Sequence, residues 1–234
     1  LWGVVLAAAL MLITGVSILQ LGSYFQADEH TAVYDKISGP IISRVLDYGT
    51  LATLFAIGFV MFAGGGSTIS QQFDGVPIWV GGAIMLALVL LVGLLDVDKV
   101  TSVIGAITPF IIIFVVFATG YTIVVTDVDW SSANEFAVAQ VESPIGSWWL
   151  AALNYTGLNV MCAVSMSIVI GGNILDNRAV GIGGFFGGII YLVLLALLVV
   201  SLYMVAPEVN GQDLPVLTLI NNVNPALGYF MTFI

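Results

Sequence analysis

The chain has 234 residues, of which 60% are hydrophobic and 8% charged, with 14 acidic against 4 basic side chains and a formal net charge of −10. A soluble domain carries roughly 25% charged residues, so a mean hydropathy of +1.12 excludes a chain that covers itself with a solvated surface. No nucleic-acid partner is expected of so acidic a chain, and the lipid bilayer is its first expected partner.

The hydrophobic runs repeatedly reach the roughly 20 residues needed to cross a ~30 Å hydrocarbon core. None shows the strict alternation of the ~10-residue strands of an outer-membrane barrel. The expected fold class is all-α, a polytopic membrane protein forming a single transmembrane domain over 1–234. Spans fall near 1–22, 46–68, 77–95, 100–126, 148–172, 180–206 and 214–234. The first run (LWGVVLAAALML) has no basic n-region or cleavage site of a signal peptide. The chain opens inside that run and stops inside another (ALGYFMTFI), so it is expected to be a fragment lacking residues at each end.

The linker 23–45 mixes Asp28, Glu29, His30, Lys36 and Arg44 with Tyr34, Ile37, Ile41 and Ile42. That mixture suits a short amphipathic helix at the membrane interface. The four basic residues, Lys36, Arg44, Lys99 and Arg178, fall in the first, third and fifth linkers, which alternate crossing places on one side. By the positive-inside rule that side is cytoplasmic. Asp74, Asp127, Asp129, Glu135, Glu142, Glu208 and Asp213 are then external, without a basic partner. They either attract cations at long range or simply solvate the loops.

The second span ends Gly64-Gly65-Gly66-Ser67-Thr68. Each glycine costs about 1 kcal/mol relative to Ala in a helix. A closely crossing neighbour is therefore expected, the alternative being an irregular external turn, with Ser67, Thr68 and Gln71 as gate candidates. The fifth span carries Asn154-Tyr155-Thr156-Gly157-Leu158-Asn159 at its centre. Two readings are open. A helix broken at mid-depth exposes carbonyls and helix ends to a solute, as in transporters; a continuous one uses Asn and Thr for interhelical hydrogen bonds. The first is favoured, with Asn154, Tyr155, Thr156, Gly157 and Asn159 as substrate-binding candidates. Cys162, the single cysteine, is expected to be a small buried packing residue. The sixth span opens with Gly183/Gly187 and Gly184/Gly188 at the four-residue spacing of tight helix contact. After the turn-rich Pro207–Pro215 linker, Leu217 to Val223 fits a short helix ahead of Asn224-Pro225, where the last span would start.

No Asp, Glu, Lys, Arg or His lies in the middle of a span, and there is no HExxH, GxSxG or Cys/His cluster. Neither an enzyme, nor a metal site, nor a cofactor is expected; a coupling Na⁺ is the one ion in view.

The run VMFAGGGSTISQQFDGVPIWVGGAIMLALVLLVGLLDVDKVTSVIGAITPFIII resembles the YkvI-like family of bacterial and archaeal membrane proteins, as do LNYTGLN and the Asp213-Leu214-Pro215-Val216-Leu217 entry to the last span. Gln71-Gln72 departs from that pattern where a carboxylate is common. The resemblance implies the amino acid–polyamine–organocation superfamily, with its LeuT-like inverted-repeat transporter fold. The chain would then hold helices two to eight of ten in a prokaryotic plasma membrane. It further implies a cation-coupled secondary transporter, a symporter of a small amino acid-like solute working by alternating access. The other functional class in view is a ligand sensor that keeps a transporter fold without transporting.

Overall fold

The computed structural model describes residues 2–73, 75–126, 130–139, 145–209, 212 and 214–232. Asp74, Asp127, Asp129, Glu142 and Asp213, assigned above to outward loops, lie outside the described residues. Among those described the chain is helical, with no strand: α1 Trp2–Phe25, α2 His30–Gln72, α3 Ile78–Gly93, α4 Val97–Val125, α5 Trp130–Ala139, α6 Trp148–Gly172, α7 Asn177–Met204, α8 Ala206–Val209, α9 Pro215–Val223 and α10 Pro225–Thr232. Helices are the form this composition must take, because hydrocarbon offers no partner to an open backbone N–H or C=O. Within α1, α2, α4, α6 and α7 lie five stretches long and apolar enough to cross a membrane, and α3 is a shorter apolar helix of 16 residues. The chain is a polytopic membrane protein.

Two breaks follow from sequence chemistry. Gly39 has φ 77°, ψ 167°, so α2 is interrupted there and restarts at Pro40. Glycine tolerates that φ, and proline is accepted at a first helical position. The run expected over 214–234 is divided at Asn224, which is extended (φ −164°, ψ 124°) ahead of Pro225.

The chain forms two compact units. The first joins Leu1–Gly58 with Glu142–Leu195, and its centre is α1 against α6. A Cβ on Gly22 would collide with the Ile168 carbonyl, one on Gly171 with that of Leu19, and one on Gly172 with that of Ala27. At the other end a Cβ on Gly3 would sit 3.3 Å from the Trp148 carbonyl oxygen. Start meets start and end meets end, so the two helices run parallel. α6 presents Ala152, Thr156, Val164 and Ile168 to the interior, a row at four-residue multiples that forms one helix face. α7 packs on α1 in the opposite sense, Gly181 against Gln20, Gly184 against Val16 and Leu19, and Gly188 against Leu12. Of the two spaced pairs in the sixth span, Gly184/Gly188 makes the contact while Gly183 and Gly187 face open space. Ser23 Oγ donates to the Ile174 carbonyl (2.7 Å) and Asn177 Nδ2 to that of Gln20 (3.3 Å), fixing the α6–α7 turn on the end of α1.

The interruption at Gly39 lets the start of α2 pair with its continuation. His30 Nε2 meets Asp47 Oδ1 at 2.8 Å, the Tyr34 and Thr50 hydroxyls lie 3.4 Å apart, and Lys36 Nζ stands 4.9 Å from the Phe25 ring centroid. Val33 and Ala27 are buried with Val164 and Ile168 in this unit's core.

The second unit joins Phe59–Val141 with Ala196–Ile234. Its core holds Phe114 and Ala118 of α4, Val205 between α7 and α8, Val209 of α8, and Leu219 and Ile220 of α9. The triple glycine is helical and works as a packing surface: a Cβ on Gly66 would sit 2.7 Å from the Ile78 carbonyl oxygen, and one on Gly81 2.8 Å from that of Gly66.

Gly22→Ala and Gly171→Ala are each expected to destabilise the protein by about 1–3 kcal/mol, the range for overpacking. Gly183→Ala, with open space around it, should gain up to about 1 kcal/mol from helix propensity. Thermal unfolding in detergent followed by circular dichroism checks this; similar shifts for all three would remove the special status of the α1–α6 contact.

Candidate functional site

The α6 segment departs from the favoured expectation: α6 is continuous from Trp148 to Gly172, with no break between Asn154 and Asn159. Asn159 Nδ2 donates to the Tyr155 carbonyl at 2.8 Å, so one amide supports the helix instead of interrupting it. Gly157 faces open space and has ordinary helical φ, so it needs neither a turn nor a close neighbour. A 25-residue helix in an apolar setting retains its backbone bonds despite the weak helix formers Asn154, Gly157 and Asn159, because an opened pair has no water to turn to.

The five candidates are thereby sorted onto different faces. Thr156 is 6% exposed against the α1 side, and its Oγ1 is buried without a hydrogen-bond partner. Thr14, Thr50, Thr68, Thr119 and Thr122 each donate to the carbonyl four residues back; Thr156 does not. A buried, unpaired hydroxyl costs about 1–3 kcal/mol, which marks this turn as unusual. Tyr155 reaches α7, its hydroxyl 2.6 Å from that of Tyr191. Asn154 and Gly157, three residues apart, share an exposed face of the unit. Cys162 is exposed, not buried as expected, because it lies off the four-residue row that meets α1.

The gate candidates lie in the second unit. Thr68 Oγ1 is turned to its own helix, donating to the Gly64 carbonyl at 2.8 Å, and Ser67 is partly buried. Gln71 Nε2 donates to Thr218 Oγ1 of α9 at 3.0 Å. One residue on, Gln72 Oε1 accepts from Asn221 Nδ2 at 3.1 Å, while Asn221 Oδ1 is buried without a partner. Phe73 and Tyr229 extend the seam with rings 5.5 Å apart. The structure thus brings Gln71 into a polar seam between the end of α2 and α9, and leaves Ser67 and Thr68 outside it. Gln72 was noted from sequence only as a departure from the family pattern, and Thr218, Asn221 and, in the first unit, Tyr191 were not singled out. Tyr191 carried one readable signal, a lone hydroxyl in an otherwise apolar run. Among the described residues no group of three His, Cys, Asp or Glu side chains could hold a metal.

No family model matches the chain, and no solved structure matches it. It is similar to the uncharacterized membrane protein YkvI of Bacillus subtilis (strain 168), 22% identical over 214 residues that make up 92% of this chain and 59% of that protein. It is also similar to the uncharacterized protein YyaD of the same organism, 19% identical over 229 residues, 98% of this chain and 64% of that protein. The chain therefore spans about three fifths of the length of these curated relatives. The likeness to YkvI covers both the glycine run ending the second span and the LNYTGLN segment. It extends to membrane proteins of that kind, and the wider superfamily does not enter through either relative.

A Gln72→Leu, Asn221→Leu double-mutant cycle should give a coupling of about 0.6 kcal/mol, the average for interhelical hydrogen bonds in membranes. Reversible unfolding in mixed micelles measures it, and strictly additive losses would show that the seam carries no bond energy.

Proposed function

We propose that this chain is the membrane-embedded part of a cation-coupled secondary transporter for a small, amino acid-like organic solute, working by alternating access in a prokaryotic plasma membrane. The observation that carries the reading is the polar segment of α6, where Asn154 is exposed about two turns into an apolar helix. An amide at membrane depth is retained where it meets protein, water or a solute, not lipid. Asn154, Gly157 and Tyr155 with its partner Tyr191 form the solute-facing surface, and Thr156 holds the turn against α1. Asn159 supports the Tyr155 carbonyl. With no charged side chain in the segment, the solute is recognised by amides, hydroxyls and helix dipoles. Na⁺ is the coupling ion that suits spans without a proton relay. Lys36, Arg44, Lys99 and Arg178 face the cytoplasm. A LeuT-like inverted repeat is the frame we assign to this motion, by analogy of fold and not of site.

One observation favours a second reading. α6 runs unbroken, and a binding helix without an interruption suits a ligand sensor that binds without moving its ligand.

Uptake of labelled amino acids into proteoliposomes of the full-length protein, with and without an inward Na⁺ gradient, separates the two. Gradient-driven accumulation is expected, falling about tenfold or more in Asn154→Leu and less in Asn159→Leu, whose amide is already bonded within the helix. Saturable binding without accumulation under any gradient would replace the transporter by the sensor. Unchanged affinity in Asn154→Leu would remove the α6 site from both.

A further inference from the structure

The chain has five tryptophans, and all of them are exposed, from 49% at Trp149 to 77% at Trp2. Their placement is ordered within each unit. In the first, Gly3 stands against the Trp148 carbonyl, so Trp2 opens α1 beside the Trp148-Trp149 pair that opens α6. The opposite end of these two parallel helices holds the basic residues. Lys36 Nζ stands 4.9 Å from the ring of Phe25, the last residue of α1. Arg178 follows the α6–α7 turn, where Asn177 Nδ2 donates to the Gln20 carbonyl. A helix of 25 residues sets the two ends about 37 Å apart at 1.5 Å per residue. That exceeds the ~30 Å hydrocarbon core.

The second unit repeats the separation. Trp79 stands in the first turn of α3, where Gly66 near the end of α2 approaches the Ile78 carbonyl. Trp130 opens α5, shortly beyond the end of α4, and stacks on Tyr203 with ring centroids 6.3 Å apart. α9 ties these two places together. Its Asn221 Nδ2 donates to Gln72 Oε1 at the end of α2, and its Asn222 and Val223 line one cavity with Tyr121 and Thr126 at the end of α4. Lys99, the basic residue of this unit's sequence, lies in the first turn of α4, beyond the far end of α3.

Membrane proteins ordinarily carry Trp and Tyr at both interfaces. Here the indoles of each unit stand at the end away from its cations, while the exposed aromatics near Lys36 and Arg44 are Tyr24 and Tyr48. An indole wants apolar contact for its ring and an acceptor for its N–H. The ester-carbonyl layer of a bilayer offers both; hydrocarbon and water each offer one. From this we infer that the tryptophan-bearing end of each unit seats in the headgroup–carbonyl layer of the outer leaflet, through which the chain holds its depth in the bilayer. The seating rests on the geometry within each unit. Its assignment to the outer leaflet rests on the orientation proposed above, with Lys36, Arg44, Lys99 and Arg178 cytoplasmic.

Two measurements test these parts separately, and neither needs transport. The full-length protein is labelled with fluorotryptophan in phosphatidylcholine nanodiscs, and its fluorine NMR signals are assigned by single Trp→Phe substitutions. Lipids carrying a nitroxide near the ester carbonyl or near the chain methyl report depth, and a soluble gadolinium chelate reports water. All five signals are expected to broaden several-fold more with the carbonyl-side nitroxide than with either other probe. Strongest broadening by the methyl-side nitroxide or by the chelate, or none by any probe, would overturn the seating. Sidedness is read in intact spheroplasts with an impermeant maleimide, on Cys162→Ala protein carrying Trp148→Cys or Arg178→Cys. Labelling above the Cys162→Ala background is expected at once for Trp148→Cys, and for Arg178→Cys only after permeabilisation. Where Trp148→Cys does not fold, Trp149→Cys decides. The reverse labelling pattern would overturn the outer-leaflet assignment.

Discussion

Helices in a bilayer gain nothing from hiding apolar surface from one another, since lipid tails are as apolar as Leu; what holds two of them together is how closely their backbones approach. In this protein the closest approach is made by α1 and α6, through Gly22 at one end of α1 and Gly171 and Gly172 at the matching end of α6. The first unit is organised around that contact. It sets the parallel sense of the two helices and turns the Ala152–Thr156–Val164–Ile168 row inward. It also brings the end of α1 within hydrogen-bond reach of the α6–α7 turn through Ser23 and Gln20. α7 then has one place to go, back along α1, and its Gly181, Gly184 and Gly188 supply the surface that allows it.

The consequence for α6 is a division of labour among faces. One is sealed against α1, one carries Tyr155 to Tyr191, and one, with Asn154 and Gly157, is left open within the unit. Thr156 stands on the sealed face. Packing on α1 fixes its position, and its oxygen is buried unpaired.

Much of the helical framework was legible because hydrocarbon thickness and backbone satisfaction leave few alternatives for runs this long and apolar. The stop at Asn224-Pro225 was legible too, since proline cannot continue the hydrogen-bond ladder. What was not legible depended on partners. Gly183/Gly187 and Gly184/Gly188 have identical spacing, and only the presence of Leu12, Val16 and Leu19 on one side separates them. The polar centre of α6 invited a break because Asn and Gly are weak helix formers, but propensities of about 1 kcal/mol do not outweigh several backbone bonds with no competing water. Cys162 was expected inside on residue type alone, whereas its register relative to the α1 row places it outside. The His30–Asp47 pair and the Gln72–Asn221 pair join residues 17 and 149 positions apart. No local periodicity encodes either.

A chain with almost no charge inside its spans carries its polarity there in neutral groups and in the ends of its own helices, and the α9–α10 junction shows how few residues that takes. Pro225 withholds one N–H, and Asn224 diverts two others, one to its side chain and one to its carbonyl. N–H groups that an uninterrupted helix would have turned back to α9 are thereby spent within the junction itself. The same two residues allow α9 to bury Leu217, Leu219 and Ile220 while α10 leaves in a new direction. The cost of the break is shared with the packing it makes possible, and negative potential is concentrated there without a carboxylate having to enter the apolar interior. A buried carboxylate would have shed its charge or required a cation held permanently beside it; carbonyl dipoles need neither.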